Sequence, residues 1–421
     1  MNVFEQFESE VRLYSRIFPT VFTRAKGACL FDEHDRRFID FLSGAGSLNY
    51  GHNNPQFKHA LIRYLEQDGI TQSLDLATSA KRQFIERFRS VILEPRALDY
   101  KLQFTGPTGA NGIEAALKLA RKITNRSNII AFTGAFHGLS AGALSITANT
   151  FYRNESYVSR SNVSFLPFDG YLDKFDSIDY ARKVISDPGS GVDLPAAVIL
   201  ETVQADGGIN VASVEWLRSI EDLCREYGIL LIVDEIQVGN GRTGTYFSFE
   251  RARIRPDLVV LSKSIGLGLP MTLVLIRPEW DRWSPGEHTG TFRGNNLAFV
   301  AAAEAICYWQ DAQLSQSIAR LGQLVATSLG NLASRYPKVR PRCRGLGLIW
   351  GLEIDDPKVA IAIRANAFQR GLIVELCGAR DNVVKILPPL TIEESVLREG
   401  LTILESAFEQ VLDHVTTIAS G

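Results

Sequence analysis

Ile229-Leu230-Leu231-Ile232-Val233-Asp234-Glu235 runs through five consecutive apolar residues and ends on two carboxylates. Apolar and polar positions do not alternate along it, so both faces of the strand it forms must be covered. Working outward, Ala196–Glu201, which continues LPAAVIL, and Leu258–Leu261 read the same way, and Asn128–Phe132 and Lys101–Phe104 are further candidates. Helical spacing fills the gaps at about 109–123, 138–146 and 213–227. Strands alternating with helices predict an α/β fold with a mainly parallel central sheet flanked by helices on both faces.

On either side of this core the texture is mixed. Residues 3–14 have the spacing of a short amphipathic helix, and 20–42 alternate like short strands broken at Asp35-Arg36-Arg37. Segment 43–54, SGAGSLNYGHNN, is too rich in small and turn-forming residues to stay regular. Pro55 suits the first turn of a helix to about 68, and a second helix fits 76–92. After residue 295 the pattern is helical to about 336. Two short strands follow around Arg344–Gly347, then a helix near 358–370, strands near 372–375 and 383–387, and a last helix from about 392. With 421 residues, the chain exceeds one ordinary core. The expected division is a large domain over 51–295 and a smaller α+β domain built from both chain ends, 1–50 and 296–421.

Composition narrows the function classes. A net charge of −2 provides no long-range field toward nucleic acid or an anionic membrane. No window approaches the roughly 18 apolar residues a membrane helix needs. The first residues carry acidic side chains and no unbroken apolar stretch, unlike a secretory signal. Five scattered cysteines without a C-x-x-C pair suit small buried hydrophobes in a reducing compartment better than a zinc or disulfide framework. A cytoplasmic enzyme of small molecules is the expectation.

In open α/β sheets, ligands bind outside the carboxyl ends of the strands. Four features lie there. Gly106-Pro107-Thr108-Gly109-Ala110-Asn111-Gly112 follows a strand and opens a helix, whose free N–H groups suit a phosphate; alone, it reads better as an ordinary glycine-rich turn, and it matches neither the P-loop nor G-x-G-x-x-G. Phe136, in Gly134-Ala135-Phe136-His137-Gly138, could stack on a flat ring, although a phenylalanine is more often plain core and a lone histidine more often structural. Asp234 closes an apolar strand, where a carboxylate is desolvated unless something positive, or a helix N-terminus, meets it. Lys263 follows the apolar strand Leu258–Leu261, where an ammonium must reach water, lose its proton or be consumed in an imine. Together the four match pyridoxal 5'-phosphate, which needs an anion cradle, a stacking ring, a carboxylate at its ring nitrogen and a lysine for its aldehyde.

At this point a resemblance emerges. Asp40-Phe41-Leu42-Ser43-Gly44, Gly51-His52-Asn53-Asn54-Pro55, Phe136-His137-Gly138, Asp234-Glu235-Ile236-Gln237, Gly241-Arg242-Thr243-Gly244, Ser262-Lys263, Thr291-Phe292-Arg293-Gly294-Asn295 and Pro388-Pro389-Leu390 occur in an order that resembles the class III (ω-amino acid) aminotransferases of fold type I, over nearly the whole chain. Gly44-Ala45-Gly46-Ser47-Leu48-Asn49-Tyr50, Glu201-Thr202-Val203-Gln204 and Gly207-Gly208-Ile209-Asn210 look more narrowly like the diaminobutyrate–2-oxoglutarate transaminases of ectoine and siderophore-type pathways.

The resemblance implies a ping-pong exchange of the terminal amine between L-2,4-diaminobutyrate or aspartate 4-semialdehyde and glutamate or 2-oxoglutarate. It implies Lys263 as the Schiff-base lysine and Asp234 as the ring-nitrogen partner. Thr108, Gly109, Ala110, Phe136, His137, Glu201 and Gln237 would complete the cofactor site, with Thr291 reaching the phosphate of a neighbouring subunit. That last role implies a homodimer with shared active sites, alone or paired into a homotetramer. Ala110 stands where the subfamily usually has threonine. Asp206 and Lys385 stand where many class III enzymes have a Glu–Arg pair that opens and closes, so carboxylate recognition must differ in detail. Another ω-amine substrate, a decarboxylase or aminomutase on the same fold, and a non-catalytic scaffold are the competing readings.

Overall fold

A computed structural model describes residues 3–154, 156–157 and 161–419. The chain opens with two short helices, α1 (Val3–Phe7) and α2 (Tyr14–Ile17), in place of the single helix expected over 3–14. Phe4, Phe7 and Val11 are exposed, so no core supports a continuous apolar face there. Strands β1 (Phe22–Lys26), β2 (Cys29–Asp32) and β3 (Arg37–Asp40) follow as an antiparallel meander. The segment α3 (Ser43–Gly46) is a single tight turn with Ser43, Gly44 and Ala45 all at positive φ. Next come α4 (Pro55–Glu66), with proline in its first turn and Asn54 capping Gln56 N, and α5 (Ser79–Arg87), capped by Thr78.

The centre alternates as expected, with additions. Strand β4 (Lys101–Phe104) leads into α6 (Gly109–Thr124). Then come β5 (Ile129–Phe132), α7 (Ala141–Ser145), β6 (Val163–Leu166), α8 (Ser177–Ser186) and β7 (Ala197–Leu200). A small hairpin, β8 (Val203–Gln204) and β9 (Asn210–Val211), precedes α9 (Val214–Tyr227). Ser213 Oγ caps that helix by accepting from Trp216 N at 3.2 Å, and Gly228 ends it at φ +59. Strands β10 (Leu230–Asp234), β11 (Leu258–Leu261) and β12 (Leu273–Ile276) complete the central sheet.

Its order is β4-β12-β11-β10-β7-β5-β6. Strands β11, β10, β7, β5 and β6 are parallel neighbours, and β12 runs antiparallel to both β11 and β4. Every residue of β5, β7, β10, β11 and β12 is buried, which accounts for their continuous apolar sequences. Strands β6 and β12 and helix α8 are additions to the sequence reading.

The rest of the chain forms α10 (Asn296–Ala305), α11 (Gln313–Arg335), β13 (Arg342–Leu346), β14 (Ile349–Glu353), α12 (Pro357–Gln369), β15 (Leu372–Ile373), β16 (Glu375–Cys377), β17 (Val383–Ile386) and α13 (Glu394–Ala419). Strand β15 pairs parallel with β3, so one sheet, β1-β2-β3-β15, joins residues from near both ends of the chain. A second four-stranded sheet, β13-β14-β17-β16, stands beside it. No described helix is long and apolar enough to cross a membrane.

Candidate active site

The carboxyl ends of β5, β7, β10 and β11 open on one inner cavity of about 190 Å³. Its lining includes Gly109, Ala110, Phe136, His137, Glu201, Asp234, Gln237 and Lys263. A larger outer cleft of about 1330 Å³ shares Phe136, Asp206, Gln237 and Lys263 with it. Eight of the ten residues expected at the site are thereby brought together. Thr108 and Thr291 are exposed and lie outside this lining. The Thr108 hydroxyl donates to Asn111 Oδ1 at 2.9 Å, within the cap of α6, and the Thr291 carbonyl accepts from Gln72 Nε2 at 2.6 Å.

Asp234 is the last residue of β10 and is buried. Its Oδ1 accepts from Ile236 N at 2.9 Å, and its Oδ2 lies 2.8 Å from His137 Nδ1. With the carboxylate ionised, the ring nitrogen is the donor. The backbone N–H of His137 donates to Thr147 Oγ1 at 3.0 Å, which fixes the segment that carries the ring. His137 Nε2 has no hydrogen-bond partner among the described residues.

Glu201 directly follows β7 and accepts from Phe136 N at 3.0 Å, which ties the loop bearing Phe136 to the sheet. Burial, reinforced by the negative charge of Asp234, pushes the Glu201 carboxyl well above the usual range. Phe136 meets the Tyr152 ring edge-on at 5.4 Å. Gln237 Nε2 donates to Ala45 O at 2.7 Å in the strained turn α3, and its Oε1 is buried without a hydrogen-bond partner among the described residues.

Lys263 lies two residues beyond β11, the strand whose Val260 pairs in register with Asp234. Its backbone sits at φ +50, a left-handed conformation that costs a non-glycine residue about 1 kcal/mol or more. Ser262 anchors this bend by hydrogen bonds to Met271 O at 3.1 Å and to Thr272 Oγ1 at 2.5 Å. Burial drives the Lys263 amine below the usual lysine range, against the pull of Asp206 and in step with repulsion from Lys385.

The cavity fits a phosphorylated, aldehyde-bearing pyridine. The N-terminus of the 16-residue α6 opens into it, where the first N–H groups have no partner within the helix. A Cβ on Gly109 would come 2.9 Å from Ile236 Cδ1, and one on Gly138 would come 2.9 Å from Ala110 Cβ, so these glycines keep the cradle open. A fixed carboxylate, an aromatic ring and an amine of lowered pKa complete the set such a group requires.

Three residues of the outer cleft had no sequence signal. Glu375 meets Lys385 across adjacent strands, and Arg364 and Arg380 face the cleft with no hydrogen bond or ion pair among the described residues. No local motif surrounds any of them, because their significance arises only from which strands and helices become neighbours.

The family model for class-III aminotransferases matches residues 12–408. A diaminobutyrate–2-oxoglutarate transaminase of Wolinella succinogenes is 58% identical over 413 residues, covering 98% of this chain and 97% of that protein. One from Halalkalibacterium halodurans is 51% identical over 415 residues, with 98% and 97% covered. Among solved structures, an ornithine aminotransferase of Toxoplasma gondii, described with partial occupancy of PLP at its active site, superposes with a TM-score of 0.83. It is 27% identical, and the match covers 98% of this chain and 94% of that one.

Proposed function

The chain belongs to the class-III aminotransferases and has their fold type I architecture, and from that premise we propose that it transfers the terminal amine between L-2,4-diaminobutyrate and 2-oxoglutarate, with pyridoxal 5'-phosphate as cofactor. The relatives that bear the name of this reaction, at 51% and 58% identity over nearly full length, support the substrate pair. The observation that carries the chemistry is the placement of Asp234 and Lys263 at the ends of the adjacent parallel strands β10 and β11, lining one cavity.

Bound there, the cofactor would supply an electrophilic carbonyl for the amine and an electron-poor ring to stabilise a carbanion on the substrate carbon. Asp234, held by His137 and Ile236 N, would keep a proton on the ring nitrogen. Lys263, whose amine loses its proton more readily than an exposed lysine, would hold the cofactor through its carbonyl and would serve as the base at the substrate carbon. Phe136 and Gln237, which line the same cavity, would help to hold the ring, Phe136 by stacking. Gly109 and Ala110 offer backbone N–H groups to the phosphate, with no side-chain hydroxyl at position 110. Arg364 and Arg380, in the lining of the outer cleft, are cations that could meet the carboxylates of the acceptor.

The same reading makes the enzyme a homodimer in which Thr291 approaches the partner's site. Exposed Phe292, beside Thr291, fits an interface there. Five free cysteines suit a reducing, cytoplasmic setting, and a product destined for ectoine-type synthesis fits the diamine substrate.

The test is a half-reaction. Holoenzyme is mixed with L-2,4-diaminobutyrate without keto acid while its visible spectrum is recorded; ornithine, 4-aminobutyrate and β-alanine are the comparisons. Rapid loss of the resting band with diaminobutyrate, restored by 2-oxoglutarate, is the expected result. A faster response to another amine would overturn the substrate assignment.

A further inference from the structure

Lys385 lies on β17, between β14 and β16, and its side chain is inaccessible to solvent. Glu375 of β16 is its direct cross-strand neighbour. The Lys385 ammonium lies 2.8 Å from Glu375 Oε2 and 2.8 Å from Asp206 Oδ1. Tyr14, from α2, donates to the other oxygen of Glu375. An ammonium buried this deeply is tenable only with carboxylates on it. The two carboxylates outweigh the effect of burial and hold its pKa well above the usual lysine range. Ile209, Cys377, Val383 and Leu387 form an apolar cluster in the same region. Lys385 is engaged by both carboxylates at once, unlike an arginine that opens and closes on a single glutamate.

Asp206 is placed differently. About a third of its side chain, 32%, remains accessible, and it lines both the inner cavity and the outer cleft. The trio carries two negative charges and one positive, and the positive member is the one sealed from solvent. A ligand therefore meets the carboxylate first.

We infer that Asp206, Lys385 and Glu375 form a fixed, charge-selective wall, in which Glu375 is a specificity-determining positioning residue. It holds Lys385 behind Asp206, and Asp206 then presents its carboxylate to a cationic group on the non-reacting end of the amine substrate. The substrate class is a short amino acid with a second ammonium beside its carboxylate, as opposed to an ω-amino acid that has none. This inference rests on the transamination reading and specifies how its donor is recognised.

The test compares L-2,4-diaminobutyrate with 4-aminobutyrate, which keeps the reacting end and lacks the second amine, in half-reactions of the holoenzyme. Wild type should favour the diamine by roughly tenfold or more in kcat/KM, the scale of one partly screened charge contact. Glu375→Gln should reduce that ratio several-fold by weakening the diamine alone, and Asp206→Asn should do the same if Glu375→Gln does not fold. Cofactor content and near-ultraviolet circular dichroism verify the fold. Equal rates of wild type with the two amines, or an unchanged ratio in either folded variant, would overturn the inference while leaving transamination standing. A wild type that reacts with neither amine would overturn the transamination reading, and the inference with it.

Discussion

Asp234 Oδ2 and His137 Nδ1 stand 2.8 Å apart with both side chains buried, and the second carboxylate oxygen is taken by the N–H of Ile236 at 2.9 Å. The carboxylate is thus aimed by a ring and a backbone amide before any ligand arrives. Substitution His137→Phe removes one of these restraints without removing the charge. The expected outcome is cofactor affinity lowered by roughly tenfold or more, the scale of one hydrogen bond to a charged group, with little change in KM for the amine. Equilibrium dialysis of the cofactor against the variant measures it.

Arg364, half-buried and without an ion pair among the described residues, is a cation facing the outer cleft. Burial lowers its pKa, opposed by Asp381 and Glu375. Arg364→Ala is expected to raise KM for 2-oxoglutarate by roughly tenfold to a hundredfold, since a charge-assisted contact to a carboxylate is worth about 1.5–3 kcal/mol, and to affect the diamine less. Steady-state kinetics with each substrate varied in turn would reveal the split; equal effects on donor and acceptor would contradict it.

Much of this arrangement could be read in advance because its physics is local. Strands β5, β7, β10 and β11 are covered on both faces, which forces unbroken apolar runs, and Asp234 and Lys263 stand out because polar groups end such runs. Strand β12 is equally apolar, yet nothing in Leu273–Ile276 records that it runs antiparallel between β11 and β4. Strand β6 is an edge with mixed burial, so its pattern is weak. The expected helix over 3–14 failed because periodic Phe4, Phe7 and Val11 find no core to cover. Tyr14 and Glu375, separated by 361 positions, become partners only through the fold.

Arg242 is fully buried and meets no carboxylate among the described residues; it donates to Leu348 O at 3.0 Å, Pro388 O at 2.5 Å and Asn49 Oδ1 at 2.5 Å. Burial brings its pKa down to about 9. The guanidinium fork fastens the loop after β10 to three distant segments. Arg242→Lys loses that geometry and is expected to cost about 3 kcal/mol, read as a lowered midpoint in urea unfolding.

Glu235 is buried against Ser248 N at 2.9 Å and Ser248 Oγ at 2.5 Å, and burial lifts its pKa to about 8. A carboxyl raised above its unfolded value binds a proton more tightly in the folded state. Its contribution to stability is complete below the unfolded pKa and is lost as pH rises through about 8. A tenfold gain in proton affinity on folding is worth about 1.4 kcal/mol. Glu235→Gln is expected to flatten the fall in Tm between about pH 5 and 8.5, which differential scanning calorimetry at several pH values would detect.

The most direct measurement is chemical. Protein loaded with pyridoxal 5'-phosphate is reduced with borohydride, digested, and its peptides weighed by mass spectrometry. The expected result is the reduced cofactor fixed covalently to the peptide carrying Lys263, and its absence from that peptide in Lys263→Ala, whose fold is retained. Attachment at another lysine, or none at all in a protein that still transaminates, would contradict the assignment of Lys263.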